Sequence, residues 1–206
     1  MINIYSRIDK ALKIIWSNEI IEDYNNDYLL KEDTMKNAVY YHLRNQLGDG
    51  YFNRHRLRIF TEYELEKNKE GKRQRGDIVI VKLKPKSEVE DGYNLSDRVE
   101  EVVAIIELKF KIGGEDVIKD DVFKMRDYIR SGKYENCQYY LGIIYEREYS
   151  KEIGSWLTKN QSKNWAQNRL TELTAHYDEE DGQFISNIIS YTNMNIELNT
   201  LTENCP

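Results

Sequence analysis

Two cysteines and three histidines are all that the 206 residues contain of these types. Cys137 and Cys205 are too few for a disulfide framework, and no CxxC pair is present. His42, His55 and His176 are scattered, so neither a zinc site nor a Ser-His-Asp triad has the residues it needs. No apolar run approaches the ~18 residues of a membrane span. The first residues, Met1 to Arg7, lack the apolar stretch and small-residue cleavage site of a signal peptide. The phosphate-binding GxxxxGK[ST] and GxGxxG patterns are missing, as are HExxH and GxSxG. These absences exclude a disulfide scaffold and point to a protein of a reducing cytoplasm, without a membrane partner. The net charge of −6 also argues against a generic, strongly basic nucleic-acid binder. It leaves room for a local basic groove.

What the chain does contain is carboxylate, lysine and tyrosine. With 40% apolar and 32% charged residues it reads as one globular domain, 1–206, with a sizeable core. Ile4, Ile8, Leu12, Ile15 and Trp16 recur at helical spacing. Residues 17–31 are polar and read as a loop or a broken second helix. Asp33 and Thr34 resemble an N-cap, and Met35, Val39, Leu43 and Leu47 predict a helix over 34–47. The period then changes to two: Leu57, Ile59, Thr61, Tyr63 and Leu65 share one face of a strand. A polar turn over 67–76 leads to a short β-branched run, Asp77 to Val81. After an exposed connection over 84–100, Val102 to Phe110 forms another buried strand, broken by Gly113-Gly114. Ile118, Val122, Met125 and Ile129 mark an amphipathic helix, and 137–145 a fourth strand. Ala166, Leu170, Leu173 and Tyr177 predict a C-terminal helix. Residues 184–191 read as a strand or a short helix, and 192–206 give no signal. The order α-β-β-β-α-β, with helical additions at both ends, predicts an α/β (α+β) fold with a mixed sheet.

Charges inside apolar strands are costly unless they are used or paired. Asp77 opens one apolar run, and Glu107 and Lys109 interrupt another. Two residues apart on a strand is one face, so Glu107 and Lys109 point the same way. If the two runs form an antiparallel hairpin, Asp77 falls beside Glu107. Two carboxylates held together call for a cation between them, and oxygen ligands favour Mg²⁺, with Mn²⁺ as substitute. The Leu108 carbonyl, between the two side chains, could add an oxygen. Lys109 would then lie within reach of an attacking water, to position it or to stabilise its deprotonated form.

Gly76-Asp77-Ile78-Val79-Ile80 and Ile105-Ile106-Glu107-Leu108-Lys109, with 29 residues between Asp77 and Glu107, resemble the PD-(D/E)XK nuclease superfamily. The resemblance spans about 30–145, flanked by an N-terminal extension (1–29) and a C-terminal addition (146–206), both read as helical. It implies a restriction-endonuclease-like αβββαβ core and Mg²⁺-dependent hydrolysis of phosphodiester bonds, in restriction, phage defence or repair. By position, Asp77 and Glu107 would be metal ligands and Lys109 the catalytic lysine. The proline of the family's name is Gly76 here. The family often adds an acidic residue near the first core helix or the following strand, for which Glu32 is the first candidate and Glu62 the second. The helix after the ExK strand often adds a polar group, and Asp121, Lys124 and Tyr128 lie on one side of it. Double-strand cleavage commonly needs two active sites, which admits a homodimer, although no interface stripe stands out.

Arg54 to Gly76 holds eight basic residues against four acidic ones, and Lys72-Arg73-Gln74-Arg75 directly precedes Asp77. A phosphate backbone needs such charge near the metal. Lys72, Arg73, Arg75, Arg56, Arg58 and Lys124 are therefore candidate contacts to nucleic acid, with DNA the expected form. A solvated hairpin tip is the competing reading of this segment. For the whole domain, the competing reading is a catalytically silent nuclease-like fold that binds nucleic acid or a protein partner. Sixteen tyrosines could stack on bases, but Tyr139, Tyr140 and Tyr145 occupy strand positions and fit the sheet better.

Overall fold

The structure is a computed structural model, and it describes residues 3–65, 71, 73–88, 95–110, 115–145, 155–178 and 183–191. Four helices precede the first strand: α1 (Ile4–Ser17), α2 (Glu19–Asn25), α3 (Glu32–Leu47) and α4 (Asp49–Arg54). Then follow β1 (Leu57–Leu65), β2 (Gln74–Leu83), β3 (Val99–Phe110), α5 (Glu115–Arg130), β4 (Gln138–Ile144), α6 (Lys159–Lys163), β5 (Leu170–Asp178) and β6 (Gln183–Ser190). The strands make one six-stranded sheet in chain order, β1 to β6. β1, β2 and β3 are antiparallel, β3-β4-β5 are parallel, and β6 returns antiparallel to β5. The fold is mixed α/β.

Helices cover both faces. Ile8, Leu12, Trp16, Met35, Val39 and Leu43 bury one face together with Ile78, Ile80, Ile106 and Leu108. Ile118, Val122 and Met125 of α5 bury the other with Val79, Ile105, Leu141 and Ile143. A strand sandwiched in this way loses its polar face and reads as a continuous apolar run, as β3 and β4 do. The N-terminal segment is part of this core, not an appendage. Trp16 Nε1 donates to the Thr174 carbonyl at 3.1 Å, and Tyr140 Oη to Asp9 Oδ1 at 3.1 Å. Trp16 also needs Gly142 beneath it: a Cβ there would stand 3.0 Å from the indole and 2.6 Å from Leu108 Cδ2.

Several expectations are corrected. The polar stretch 17–31 contains α2, whose Ile20 is buried. The third helix starts at Glu32, ahead of the expected cap. Thr34 sits in its first turn, and its Oγ1 accepts from the Leu30 and Lys31 amides at 3.0 Å each. The second strand runs from Gln74 to Leu83, starting three residues before Asp77, within the expected turn, and ending two after Val81. The C-terminal helix expected over 166–177 is a strand, so the C-terminal part adds β5 and β6 to the sheet and only the short α6 to the helices. The helical spacing there arose because β5 is buried on both sides. Leu170 and Leu173 serve opposite faces, while Thr171, Glu172 and Thr174 are buried between them. In β3, two-residue spacing would put Val103 on the face of Ile105, Glu107 and Lys109, but an irregularity opposite Ile80/Val81 turns Val103 to the other face.

Candidate functional site

The antiparallel pairing Ile78↔Ile106 continues by one step to set Asp77 opposite Glu107, where the two strands stop exchanging ladder bonds. Freed from the ladder, the Leu108 amide donates to Asp77 Oδ2 at 2.8 Å. Leu108 is thus tied to Asp77 through its N–H. Glu107 and Lys109 follow the odd-numbered alternation of Ile105 toward α5, where Lys124 and Asp121 meet them, and Asp77 is met by Lys36 of α3. The first turn of α3 closes the same end of the sheet from the other side.

Each charged group here is answered by another. Lys109 Nζ lies 3.4 Å from Glu32 Oε2 and 3.4 Å from Asp121 Oδ2. Lys124 Nζ donates to Glu107 Oε2 at 2.6 Å. Lys36 Nζ contacts Glu62 Oε1, stands 3.3 Å from Asp77 Oδ1 and 4.0 Å from Asp33 Oδ1. Glu62 meets Lys36 from a left-handed backbone conformation, φ 52°, in the middle of β1. Such a conformation costs energy in a non-glycine residue and is held in place by its surroundings.

Burial sets the electrostatics. Glu107 is 2% exposed. Desolvation pushes its pKa up to about 8, with Lys124 opposing, and Asp77 adding to the rise. Burial also raises Asp121, against the pull of Lys109 and Lys124. Burial works against the charge on Lys109, but Asp121 and Glu32 outweigh it and hold the ammonium above the ordinary lysine value. The same balance, won by Glu62 and Asp77, raises Lys36. Tyr128 is raised by burial and then by Glu107; its hydroxyl reaches the Arg75 carbonyl at 3.4 Å.

Asp77, Glu107 and Lys109 therefore stand together, joined by Glu32 through Lys109 and by Glu62 through Lys36. The basic candidates do not gather in the same way. Lys72 lies outside the described residues. Arg73 and Arg75 are exposed on the approach to Asp77, Arg73 pairing with Glu64 at 3.0 Å. Arg58 pairs with Val81, four residues along the strand from Asp77, or ~13 Å at the strand rise. Arg56 is bound to the Leu83 carbonyl at 2.8 Å and to Glu100 at 3.0 Å. Lys124 is turned onto Glu107. Sequence reasoning missed Lys36. The available signal was its position one turn after Glu32, beside the buried Met35 and Val39.

Among the described residues, no three His, Cys, Asp or Glu side chains converge in a way that would hold a metal ion. In favour of a fit, Glu107 Oε1 is buried and accepts no hydrogen bond from the described residues. A buried, unsatisfied carboxylate oxygen is costly, and it is the atom a cation would complete. Five carboxylates (Glu32, Glu62, Asp77, Glu107, Asp121) face three ammonium groups, a formal excess of two negative charges. Mg²⁺ keeps several waters and needs only one or two protein carboxylates. The donor set fits such an ion. Comparison of the chain with protein-family models, with curated proteins and with solved structures returned no match. Among the described residues, no helix is long and apolar enough to cross a membrane.

Proposed function

We propose that the protein is a metal-dependent nuclease of the PD-(D/E)XK kind, on a restriction-endonuclease-like core, hydrolysing phosphodiester bonds of DNA. The observation that carries this reading is the buried Glu107 Oε1, without a partner among the described residues, beside Asp77 and Lys109 at the end of the β2–β3 pairing. Asp77 and Glu107 would hold Mg²⁺ or Mn²⁺, with Glu32 close by through Lys109. Bound there, the cation would supply Lewis-acid polarisation of the phosphate and a lowered pKa for the attacking water. Lys109 keeps its proton at Nζ, because Glu32 and Asp121 stabilise the ammonium. It therefore orients the water and steadies negative charge on the phosphate, and it does not serve as the base. The Leu108 amide fixes the rotamer of Asp77. The exposed Arg73 and Arg75 would meet the phosphate backbone, which makes binding fall with added salt.

The test is incubation with linear, circular and single-stranded DNA in Mg²⁺, in Mn²⁺ and in EDTA, alongside Glu107→Ala and Lys109→Met. Cleavage should require the metal and vanish in both variants. Full activity in either variant would refute the assignment. One observation favours a second reading, a silent domain that binds nucleic acid without cutting it. Both central carboxylates are already answered by lysines, and no three metal-ligating groups converge among the described residues. DNA binding without cleavage in either metal would select it.

A further inference from the structure

The two lysines that answer the central carboxylates are held very differently. Lys36 comes from the second turn of α3, and its side chain is 9% exposed. It is surrounded by Asp77, Glu62 and Asp33. Removing it would leave carboxylates facing one another with no cation between them, which is the costly way to break a buried ion pair. Its stem also lies at the edge of the α3 core stripe.

Lys124 comes from the opposite side of the sheet, on α5. Its side chain is 27% exposed, and its grip on the site is the 2.6 Å contact with Glu107 Oε2. The Tyr128 ring, one turn further along α5, lies 6.0 Å from the same ammonium. A flexible four-carbon stem can swing its charge toward solvent over that ring at little cost. The contrast matters because the other oxygen of the same carboxylate, Glu107 Oε1, is buried and has no partner among the described residues. One oxygen of Glu107 is therefore paired with a cation that can leave, and the other is buried without a partner among the described residues.

We infer that Lys124 is an exchangeable placeholder cation, which holds Glu107 until a divalent ion takes that carboxylate, whereas Lys36 is a fixed counter-charge for Asp77 and Glu62. The inference rests on the metal-dependent reading of the site given above. A divalent ion on Glu107 and an ammonium at 2.6 Å from the same group repel one another, so binding of the ion must include departure of Lys124. Swung out of the site, the ammonium lies on the α5 side of the opening, where a substrate phosphate would meet it. Lys124 thus enters the site's chemistry first as a competitor of the metal and then as a contact for the substrate.

Calorimetric titration with MnCl₂ tests this without any catalytic readout, on the wild-type chain and on Lys124→Met, Lys124→Gln, Lys36→Met and Glu107→Gln. Thermal melts of each protein establish that it folds. Removing the competing charge should tighten Mn²⁺ binding by roughly tenfold or more in Lys124→Met. Lys124→Gln, which keeps a donor but no charge, should move the same way, and Lys36→Met should instead lower the melting temperature without metal, as loss of a fixed counter-charge. Glu107→Gln should abolish it. If binding is lost in Glu107→Gln but Lys124→Met and Lys124→Gln bind no more tightly than wild type, the placeholder role is overturned and the metal site stands. If the folded wild type and both Lys124 variants show neither heat nor a Mn²⁺-dependent rise in melting temperature, the metal site and the placeholder fall together.

Discussion

The sharpest consequence of Glu107 being buried is a stability that depends on pH and disappears with one substitution. The carboxyl titrates near 4.5 in the unfolded chain and at about 8 in the folded protein, because burial penalises its ionised form. A folded-state pKa raised above the unfolded one gives stability that is fully present below the lower value. That stability is lost as pH rises toward the upper one. The window is therefore pH 4.5 to about 8. At about 1.4 kcal/mol per pH unit, the loss at pH 7.5 is on the order of 4 kcal/mol. Glu107→Gln keeps the shape and removes the titration. In EDTA it should match wild type at pH 4.5 and exceed it at pH 7.5. For a chain of this size that gap corresponds to roughly 8–16 °C in melting temperature. Calorimetric melts of both proteins at half-unit steps from pH 4.5 to 8.5 measure it. A gap that stays constant across the window would refute burial as the dominant influence on Glu107. A gap of opposite sign would show that the Lys124 contact outweighs it.

Two further outcomes follow from packing and from a second buried carboxylate. Gly76→Ala would place a Cβ 2.6 Å from Val79 Cγ2 and 3.4 Å from Ile105 Cγ2, beside Asp77. Overpacking of this kind costs about 1–3 kcal/mol, and an unchanged urea midpoint would contradict it. Glu172 is fully buried and accepts from Ser155 Oγ and the Trp156 amide, at 3.2 Å each. Burial raises it to about 7, against the hydrogen bonds from Tyr191, Trp156 and Ser155. By the same sign argument, its contribution is lost between pH 4.5 and about 7. The pH slope left in Glu107→Gln should therefore flatten over that window in the double variant Glu107→Gln/Glu172→Gln. A slope unchanged from that of Glu107→Gln would assign it to other groups, Asp121 among them.

How much of this was legible in the sequence depended on whether one face of an element stays polar. α1 and α3 carry charged outer faces, so Ile8, Leu12 and Trp16, and Met35, Val39 and Leu43, stand out at helical spacing. β1 is an edge strand with Arg58, Glu62 and Glu64 exposed, so its period of two reads as a strand. The expected single face breaks at Glu62 (φ 52°): Leu57 and Ile59 pack on the α3 side of the sheet, Tyr63 and Leu65 on the α5 side. β5 has no such contrast. It lies between β4 and β6 with both faces covered, and its buried Thr171, Glu172 and Thr174 imitate the polar side of a helix. The β-branched Thr171 and Thr174 were the weak signal for a strand. The turn from Arg169 into β5 depends on Ala166 and on Tyr134 from another part of the chain, which no local pattern reveals.

At the site, the legible part was what a strand encodes locally. Glu107 and Lys109 share a face by parity, and the pairing that sets Asp77 beside Glu107 needs only the next strand to return antiparallel. The partners that tune these groups were not legible, because they come from helices on opposite faces of the sheet. Lys36 sits on α3 and Lys124 on α5, and each reaches a strand carboxylate by a long side chain. Lys124 was drawn toward the solvent and nucleic acid by its charge, yet its ammonium turns inward onto the most deeply buried carboxylate of the site. The reason is energetic. Glu107 Oε2 without a donor would be a second orphaned oxygen in a place water does not reach, and a flexible lysine one helix away is the cheapest group to supply one. A sequence lists the charges; the burial of Glu107 decides which of them must come to it.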